Sequence, residues 1–293
     1  MTRICSFGWR GNPEPGRGRI VSAHGDYYHL VCDEASGEII ARKKKSAFSK
    51  RLAKIQDVGS LRRVTRDEIG EEQLKPITGD FVRFKYNSQG ESMITEILPR
   101  FSHFERKDPT ARRKSQTLAV NFDTLFIMMS LNSNFSIARI KRYLDLAVDM
   151  GDAEAVVVVT KMDLRQEGDE EFISELAKVV DGRASLLCIS ALTGEGLSRL
   201  EEFVKPCKTL AFIGSSGVGK STLVNVLAGE NWMATQEIQG WSGKGRHTTT
   251  SRELVMLPSG AMVIDTPGIR EIGRIDEEDF VLLKGESSHR YRK

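Results

Sequence analysis

Cysteine is scarce, and what there is stands alone. The four thiols, Cys5, Cys32, Cys188 and Cys207, form no C-x-x-C pair and have no histidine at metal-ligand spacing. A disulfide framework and a zinc ribbon are both excluded on that pattern, and the four read as reduced, small buried hydrophobes. Long apolar runs are missing too. None approaches the ~18 residues needed to cross a bilayer, and the opening MTRICSFGWRG lacks the basic-then-apolar pattern of a secretion signal. The expectation is a cytoplasmic protein with no membrane contact. The 293 residues, 40% of them hydrophobic, suffice for the cores of two domains.

The chain also has little net charge, but the small total hides an asymmetry. Residues 1–115 carry 23 Lys and Arg against 15 Asp and Glu, whereas residues 116–293 carry 20 against 25. The front of the chain therefore projects the positive field. Runs such as RKKK (Arg42 to Lys45), Arg62-Arg63 and ARRK (Ala111 to Lys114) would each pass singly for solvated surface; together they imply a polyanionic partner.

The front third reads as short strands. GRIVSAHGDYYHLVC (Gly18 to Cys32) holds two extended stretches around His24-Gly25-Asp26, and GEIIARKK, GDFVRFKY and MITEILPR follow, each bounded by Gly, Asn or Pro. About five strands in ~100 residues fit an oligonucleotide-binding (OB) barrel, and an SH3-like barrel would give nearly the same pattern. Pro99 to Lys114 reads as a charged linker. From Thr124 strands and helices alternate. TLFIMMS (124–130), AVVVVT (155–160), SLLCIS (185–190), TLAFIG (209–214), RELVMLP and AMVID are strands. IARIKRYLDLAVDM (137–150), EEFISELAKVV (170–180), a short segment near Leu197 to Val204, and STLVNVLAG are helices. The fold class is thus α/β with a parallel sheet, helices on both faces and one antiparallel edge, behind a small barrel. The domain limits are placed at 1–108 for barrel and linker, 109–275 for the α/β domain, and 276–293 for a short tail.

Five motifs carry chemistry. Gly214-Ser215-Ser216-Gly217-Val218-Gly219-Lys220-Ser221-Thr222 fits G-x-x-x-x-G-K-[ST], in which backbone N–H groups and a helix dipole cradle phosphates. Lys220 should reach the β- and γ-phosphates, and Ser221 should ligate Mg²⁺. Asp265 to Gly268 (DTPG) lies 45 residues beyond Lys220 at a strand end; Asp265 can hold a magnesium water and Gly268 can offer its N–H to the γ-phosphate. Between them GWSGKGRHTTT (Gly240 to Thr250) supplies Thr249 or Thr250 as a hydroxyl that meets Mg²⁺ when the γ-phosphate is present. TKMD (Thr160, Lys161, Met162, Asp163) and SAL (Ser190, Ala191, Leu192) end two strands. The Asp163 carboxylate can accept from guanine N1 and its exocyclic amine, a donor pair that adenine lacks; the Lys161 stem can lie over the base, and the Ala191 N–H can reach O6. The order is base, base, phosphate, switch, switch. That is the order expected of a Ras-like GTP-binding domain cut after its second switch and rejoined around Pro206.

A circularly permuted GTPase behind an OB-like barrel resembles the ribosome small subunit-dependent GTPase A family (RsgA, YjeQ, YloQ). The resemblance runs from about Gly18 to about Glu271, and RHTTT followed by DTPGIRE is its most specific feature. It implies a GTPase that uses GTP/GDP and Mg²⁺ and binds the small ribosomal subunit late in its maturation; a monomer is expected. The barrel would contact ribosomal RNA, and the nucleotide state would control binding and release. Thr160 stands where the family usually has Asn. The family's zinc segment, C-x4-C-x-H-x5-C, has no counterpart before ESSHRYRK, so zinc is not expected in this chain. Ile269 occupies the place where Ras-like enzymes carry the water-positioning Gln, so slow intrinsic turnover and stimulation by the small subunit are expected. The resemblance points to His247 as the water-positioning group, against the alternative of an exposed loop histidine. Two other readings stay open: an RNA-binding barrel protein with a vestigial nucleotide site, and an ATP-driven enzyme.

Overall fold

The computed structural model describes residues 3–12, 14–43, 75–106, 116–131, 135–229 and 252–265. A one-turn helix α1 (Arg3–Ser6) precedes β1 (Arg17–His24), β2 (Tyr27–Cys32), β3 (Ile39–Lys43), β4 (Phe81–Lys85) and β5 (Ser92–Ile97). Period-two alternation sends Tyr28, Leu30, Ala41, Val82, Phe84 and Ile94 into one interior cluster. Neighbours run β1, β2, β3, β5, β4, with β3 and β5 parallel, and β4 closes the ring by pairing Arg17, Gly18 and Arg19 with Arg83, Val82 and Phe81. This closed five-strand ring is the OB-like arrangement.

The second part holds β6 (His103–Arg106), β7 (Gln116–Val120), β8 (Thr124–Ser130), α2 (Ile137–Ala147), β9 (Glu154–Thr160), α3 (Asp169–Val180), β10 (Ser185–Cys188), β11 (Thr209–Gly214), α4 (Lys220–Ala228), β12 (Glu253–Met256) and β13 (Met262–Asp265). Strands β10, β9, β8, β11 and β13 are neighbours in that order and all parallel, and β12 runs antiparallel beside β13. The chain leaves β8 towards β9 and β10, then returns to β11 on the other side of β8. That reversal is the switch point at which doubly wound sheets bind ligands, outside the strands' carboxyl ends.

β8 is buried along its whole length because both faces are covered. On one face α2 sets down Ile140, Tyr143, Leu144 and Ala147, and α3 adds Leu176 and Val180. Ser136 caps α2 by accepting from the Arg139 N–H at 3.3 Å, and α3 opens with Asp169, Glu170 and Glu171, which suit its positive end. On the other face Leu223 and Val224 of α4 join Leu200 and Phe203 over Phe126 and Phe212, whose rings stack at 5.1 Å. Among the described residues no helix is long and apolar enough to cross a membrane.

Two sequence expectations change. The stretch from Pro99 to Lys114 is not a plain linker: it contains β6, which pairs antiparallel with β7 and sets Phe104 and Ala119 into the α/β core. The division placed between residues 108 and 109 lies outside the described residues. The segment from Leu197 to Val204 is a 3-10 turn over Leu197–Leu200 followed by turns rather than a helix.

Barrel and α/β layer share one sheet, since β12 also pairs with β1 through Glu253 and Ser22. Arg19 of β1 lies in this junction with no exposed surface. Its guanidinium donates to Thr209 Oγ1 at 2.9 Å, Asn121 O at 2.7 Å, Phe7 O at 2.5 Å and Gly79 O at 3.3 Å, and lies 4.7 Å from the Phe81 ring centre. Burial works against its charge; Asp123 and Asp80 nearby favour it. Each acceptor left without its donor costs about 1–3 kcal/mol, so Arg19→Met should lower the urea-unfolding free energy by about 3 kcal/mol, and Arg19→Lys, which cannot reach four acceptors at once, by nearly as much.

Candidate nucleotide site

The carboxyl ends of β8, β9, β10, β11 and β13 lie along one edge of the sheet. The phosphate loop leaves that edge from Gly214, which pairs with Met128 and has φ 152°. A β-carbon there would sit 2.5 Å from the Met128 carbonyl oxygen, so only glycine lets β11 and β8 run on so close to the loop. Gly219, at φ 93°, turns the chain into α4, whose first residue is Lys220. The Lys220 ammonium donates to Gly214 O at 2.6 Å and Ser215 O at 2.8 Å, so two of its three N–H donors brace the loop and the third can meet a phosphate oxygen. Burial pulls its pKa down to about 8. Ser216, Gly217, Ser221 and Thr222 are exposed on the same rim, whereas the Val218 side chain is buried beneath it.

The segments Thr160–Asp163 and Ser190–Leu192, expected from the sequence to meet the base, are held side by side by backbone bonds that outrun their strands. Ile189 N donates to Val159 O at 2.8 Å and Met162 N to Ile189 O at 3.2 Å. Ser190, fully buried, donates its hydroxyl to Asp163 Oδ1 at 2.5 Å and accepts from Thr193 N at 3.2 Å, which orients a carboxylate that is itself exposed. Lys161 has left-handed backbone angles, φ 60° and ψ 41°, and Ala191, directly after Ser190, is half-buried. The Met162 side chain is packed in the core, and Leu192 is 82% exposed.

Thr160 joins the halves. Its hydroxyl lies 2.6 Å from Val218 O in the phosphate loop and 3.2 Å from Met129 O; with one proton to give, it donates to the nearer. An asparagine is therefore not needed at this position for the base strand to grip the phosphate loop. Two contributors were missed in the sequence: the Val218 carbonyl, which no residue-type pattern marks, and the Gly194-Glu195-Gly196 run that shapes the Ser190 loop. Ser190 N donates to Glu195 O at 2.9 Å, and a β-carbon on Gly196 would lie 2.3 Å from Cys188 O. Two glycines directly after SALT were the available signal.

Asp265 ends β13, one residue beyond the Ala211 and Ile264 pairing with β11, and only its backbone is described. His247, Thr249, Thr250 and Gly268 lie outside the described residues.

A G-x-x-x-x-G-K-S loop at the switch point, the TKMD and SAL strand ends that precede it in the chain, and an OB-like ring in front define a circularly permuted GTPase fold. A family model described as RsgA GTPase matches residues 97–275. The chain belongs to the RsgA GTPase family. It is 38% identical over 255 residues to "Small ribosomal subunit biogenesis GTPase RsgA 2" of Lactiplantibacillus plantarum, covering 87% of this chain and 66% of that one. Identity to "Small ribosomal subunit biogenesis GTPase RsgA" of Leptospira interrogans is 36% over 261 residues, covering 89% and 65%. The chain thus spans just under two thirds of the length of these curated relatives. Among solved structures, YjeQ from Thermotoga maritima superposes with a TM-score of 0.58 at 25% identity, covering 87% of this chain and 76% of that one. YloQ, a circularly permuted GTPase, shares the fold with a TM-score of 0.51 at 23% identity, covering 88% and 72%.

Thr160→Val removes the hydroxyl and strands the Val218 carbonyl. Fluorescent GDP titration should show affinity reduced about tenfold, whereas Thr160→Asn, which keeps a donor, should stay within about threefold of wild type.

Proposed function

We propose that this chain binds guanine nucleotide along the carboxyl edge of its sheet and hydrolyses GTP while engaged with the small ribosomal subunit late in that subunit's maturation. The basic barrel contacts ribosomal RNA, and exchange between GTP and GDP states controls binding and release. The reading places the protein in the cytoplasm as a monomer. The observation that carries it is the pair of hydrogen bonds, Thr160 to Val218 and Ser190 to Asp163, which ties a guanine-selective carboxylate to a phosphate loop from a distant part of the chain.

The residues fit a magnesium triphosphate. Glycine-lined amides, the Lys220 ammonium and the exposed Ser221 hydroxyl are the donor set that hard phosphate oxygens and Mg²⁺ require. Ser221, Thr250 and Asp265 would hold the ion, which supplies neutralisation of charge on the phosphate oxygens. Asp163 fixes the base and so the register of the γ-phosphate. Lys220 stabilises negative charge as water attacks in line and the β–γ bridge breaks. His247 orients that water, the task that Ile269 cannot perform.

Three assays separate the readings: GTP turnover alone, with purified small subunits, and with naked ribosomal RNA. Turnover should be slow alone and rise at least about tenfold with subunits, and His247→Ala should remove about 10²-fold from the stimulated rate. Absence of GTP turnover in all three would overturn the reading, and wild-type turnover by His247→Ala would remove that residue from it.

Lys220 also sets a pH dependence. Its pKa of about 8 in the free loop rises when a phosphate takes its third N–H, so binding above that pH takes up a proton. Nucleotide affinity should be flat below about pH 8 and fall as pH rises through it; calorimetry in buffers of different ionisation enthalpy reads the proton directly.

A further inference from the structure

The barrel meets the α/β layer at the start of β12, and both strands of the magnesium end begin or finish there. Ser22 of β1 pairs with Glu253, and Glu253 pairs with Asp265 of β13, so one ladder runs from the barrel to a proposed magnesium ligand. Arg252 stands directly before that ladder. In the sequence it follows Thr250 by two residues and His247 by five.

A side chain of the barrel holds Arg252 in place. Thr78, in the corner Ile77–Asp80 that leads into β4, is 2% exposed and donates its hydroxyl to Arg252 O at 2.8 Å. The Arg252 guanidinium in turn donates to Thr117 O of β7 at 2.8 Å. Arg252 is therefore tied to the barrel through its backbone and to the β6–β7 hairpin through its side chain. The corner that holds it is stiff. Gly79 O accepts from Asn121 Nδ2 at 3.0 Å and from Arg19 Nε at 3.3 Å, and Asp80 accepts from Arg100 at 2.7 and 2.9 Å and from Ile77 N at 2.9 Å. Gly79 has φ 95°, and a β-carbon there would lie 2.7 Å from Val120 O, so the corner is seated against β7 with no slack. A shift of the barrel cannot be absorbed in such a corner and passes to Arg252.

Coupling between two sites needs an element that both sites bias. The start of β12 is placed for that: the barrel grips it from one side, and the chain on either hand leads to Thr250 and Asp265. We propose that Thr78 and Arg252 are positioning residues that couple the barrel to the magnesium end of the nucleotide site. They touch no nucleotide; they act through Thr250 and Asp265, fixing where these stand when the barrel is engaged. The coupling rests on the ribosomal GTPase reading given above and adds to it the route by which an engaged barrel raises turnover.

Two measurements on the full chain test it. The first is hydrogen exchange read by mass spectrometry, with the chain bound to GDP and then to a non-hydrolysable GTP analogue with Mg²⁺. A barrel that biases the nucleotide site must itself be biased by it. The peptide spanning Ile77 to Lys85 should exchange about fivefold more slowly with the triphosphate analogue, the difference should vanish in Thr78→Val, and Thr78→Ser, which restores the hydroxyl, should bring it back. The second is GTP turnover alone and with saturating small subunits. Thr78→Val should keep basal turnover and GDP affinity within about twofold of wild type while the stimulated kcat falls about tenfold, and Thr78→Ser should keep most of the stimulation. A merely structural role would lower basal turnover and GDP affinity along with the stimulated rate. Undiminished stimulation in Thr78→Val would overturn the coupling, as would equal exchange of the Ile77 to Lys85 peptide in the two nucleotide states. A wild type that subunits do not stimulate is a failure of the parent reading instead. The exchange measurement then decides the coupling by itself: a corner that senses the triphosphate keeps it, and one that does not removes it.

Discussion

One hydrogen bond, from the Thr160 hydroxyl to the Val218 carbonyl, carries the architecture of the site. It joins the end of β9 to the glycine-rich loop between β11 and α4, 58 residues further along the chain. Sheet position and not chain order decides what is adjacent, so the pocket survives permutation of its parts. The seam lies at the opposite edge of the sheet. There Cys207 N donates to Gly260 O at 2.8 Å and Met262 N to Lys208 O at 2.7 Å, which closes the joined ends into the amino-terminal side of β11 and β13.

The same edge is where the barrel attaches. Asp123 accepts from Lys208 Nζ at 2.9 Å, from Thr209 N at 2.8 Å and from Arg10 at 2.8 Å. Burial opposes its ionisation, but these three donors outweigh that and hold the carboxyl below its ordinary value. Asn121, at φ 53°, receives Phe101 N at 3.1 Å and donates to Gly79 O at 3.0 Å. With Arg19 these groups make a polar junction whose donors and acceptors are largely matched. A mismatched one would cost several kcal/mol in so dry a place. The carboxyl edge that carries the glycine-rich loop and the barrel junction thus occupy opposite ends of the parallel sheet.

Much of this could be read from residues because the signals were local. TLFIMMS and TLAFIG gave strand limits to the residue, since an unbroken apolar run between polar turns has only one way to be buried on both faces. GSSGVGKST and TKMD stood out through glycine placement and a carboxylate after a strand, and both fall at the carboxyl edge of the sheet. The hairpin of β6 and β7 was not legible: HFER and QTLAV are short, and the charged run between them carries the signature of a linker. Arg19 was invisible as a junction residue because its four acceptors come from four remote segments, and nothing in GRGRIVSAH distinguishes a buried arginine from an exposed one. The Thr160 contact was hidden for a related reason. A hydroxyl can replace a carboxamide only if the partner carbonyl comes close enough, and closeness is a property of the fold.

The central claim is that Asp163 and Lys220 grip the two ends of one guanine nucleotide. Competition titration with guanosine, xanthosine and adenosine triphosphates on wild type and Asp163→Asn tests it most directly. The account predicts strong preference for guanosine in the wild type and a shift to xanthosine in the variant, whose amide can donate to the xanthine oxygen. Unchanged guanosine affinity in Asp163→Asn, or adenosine triphosphate competing equally in the wild type, would contradict it.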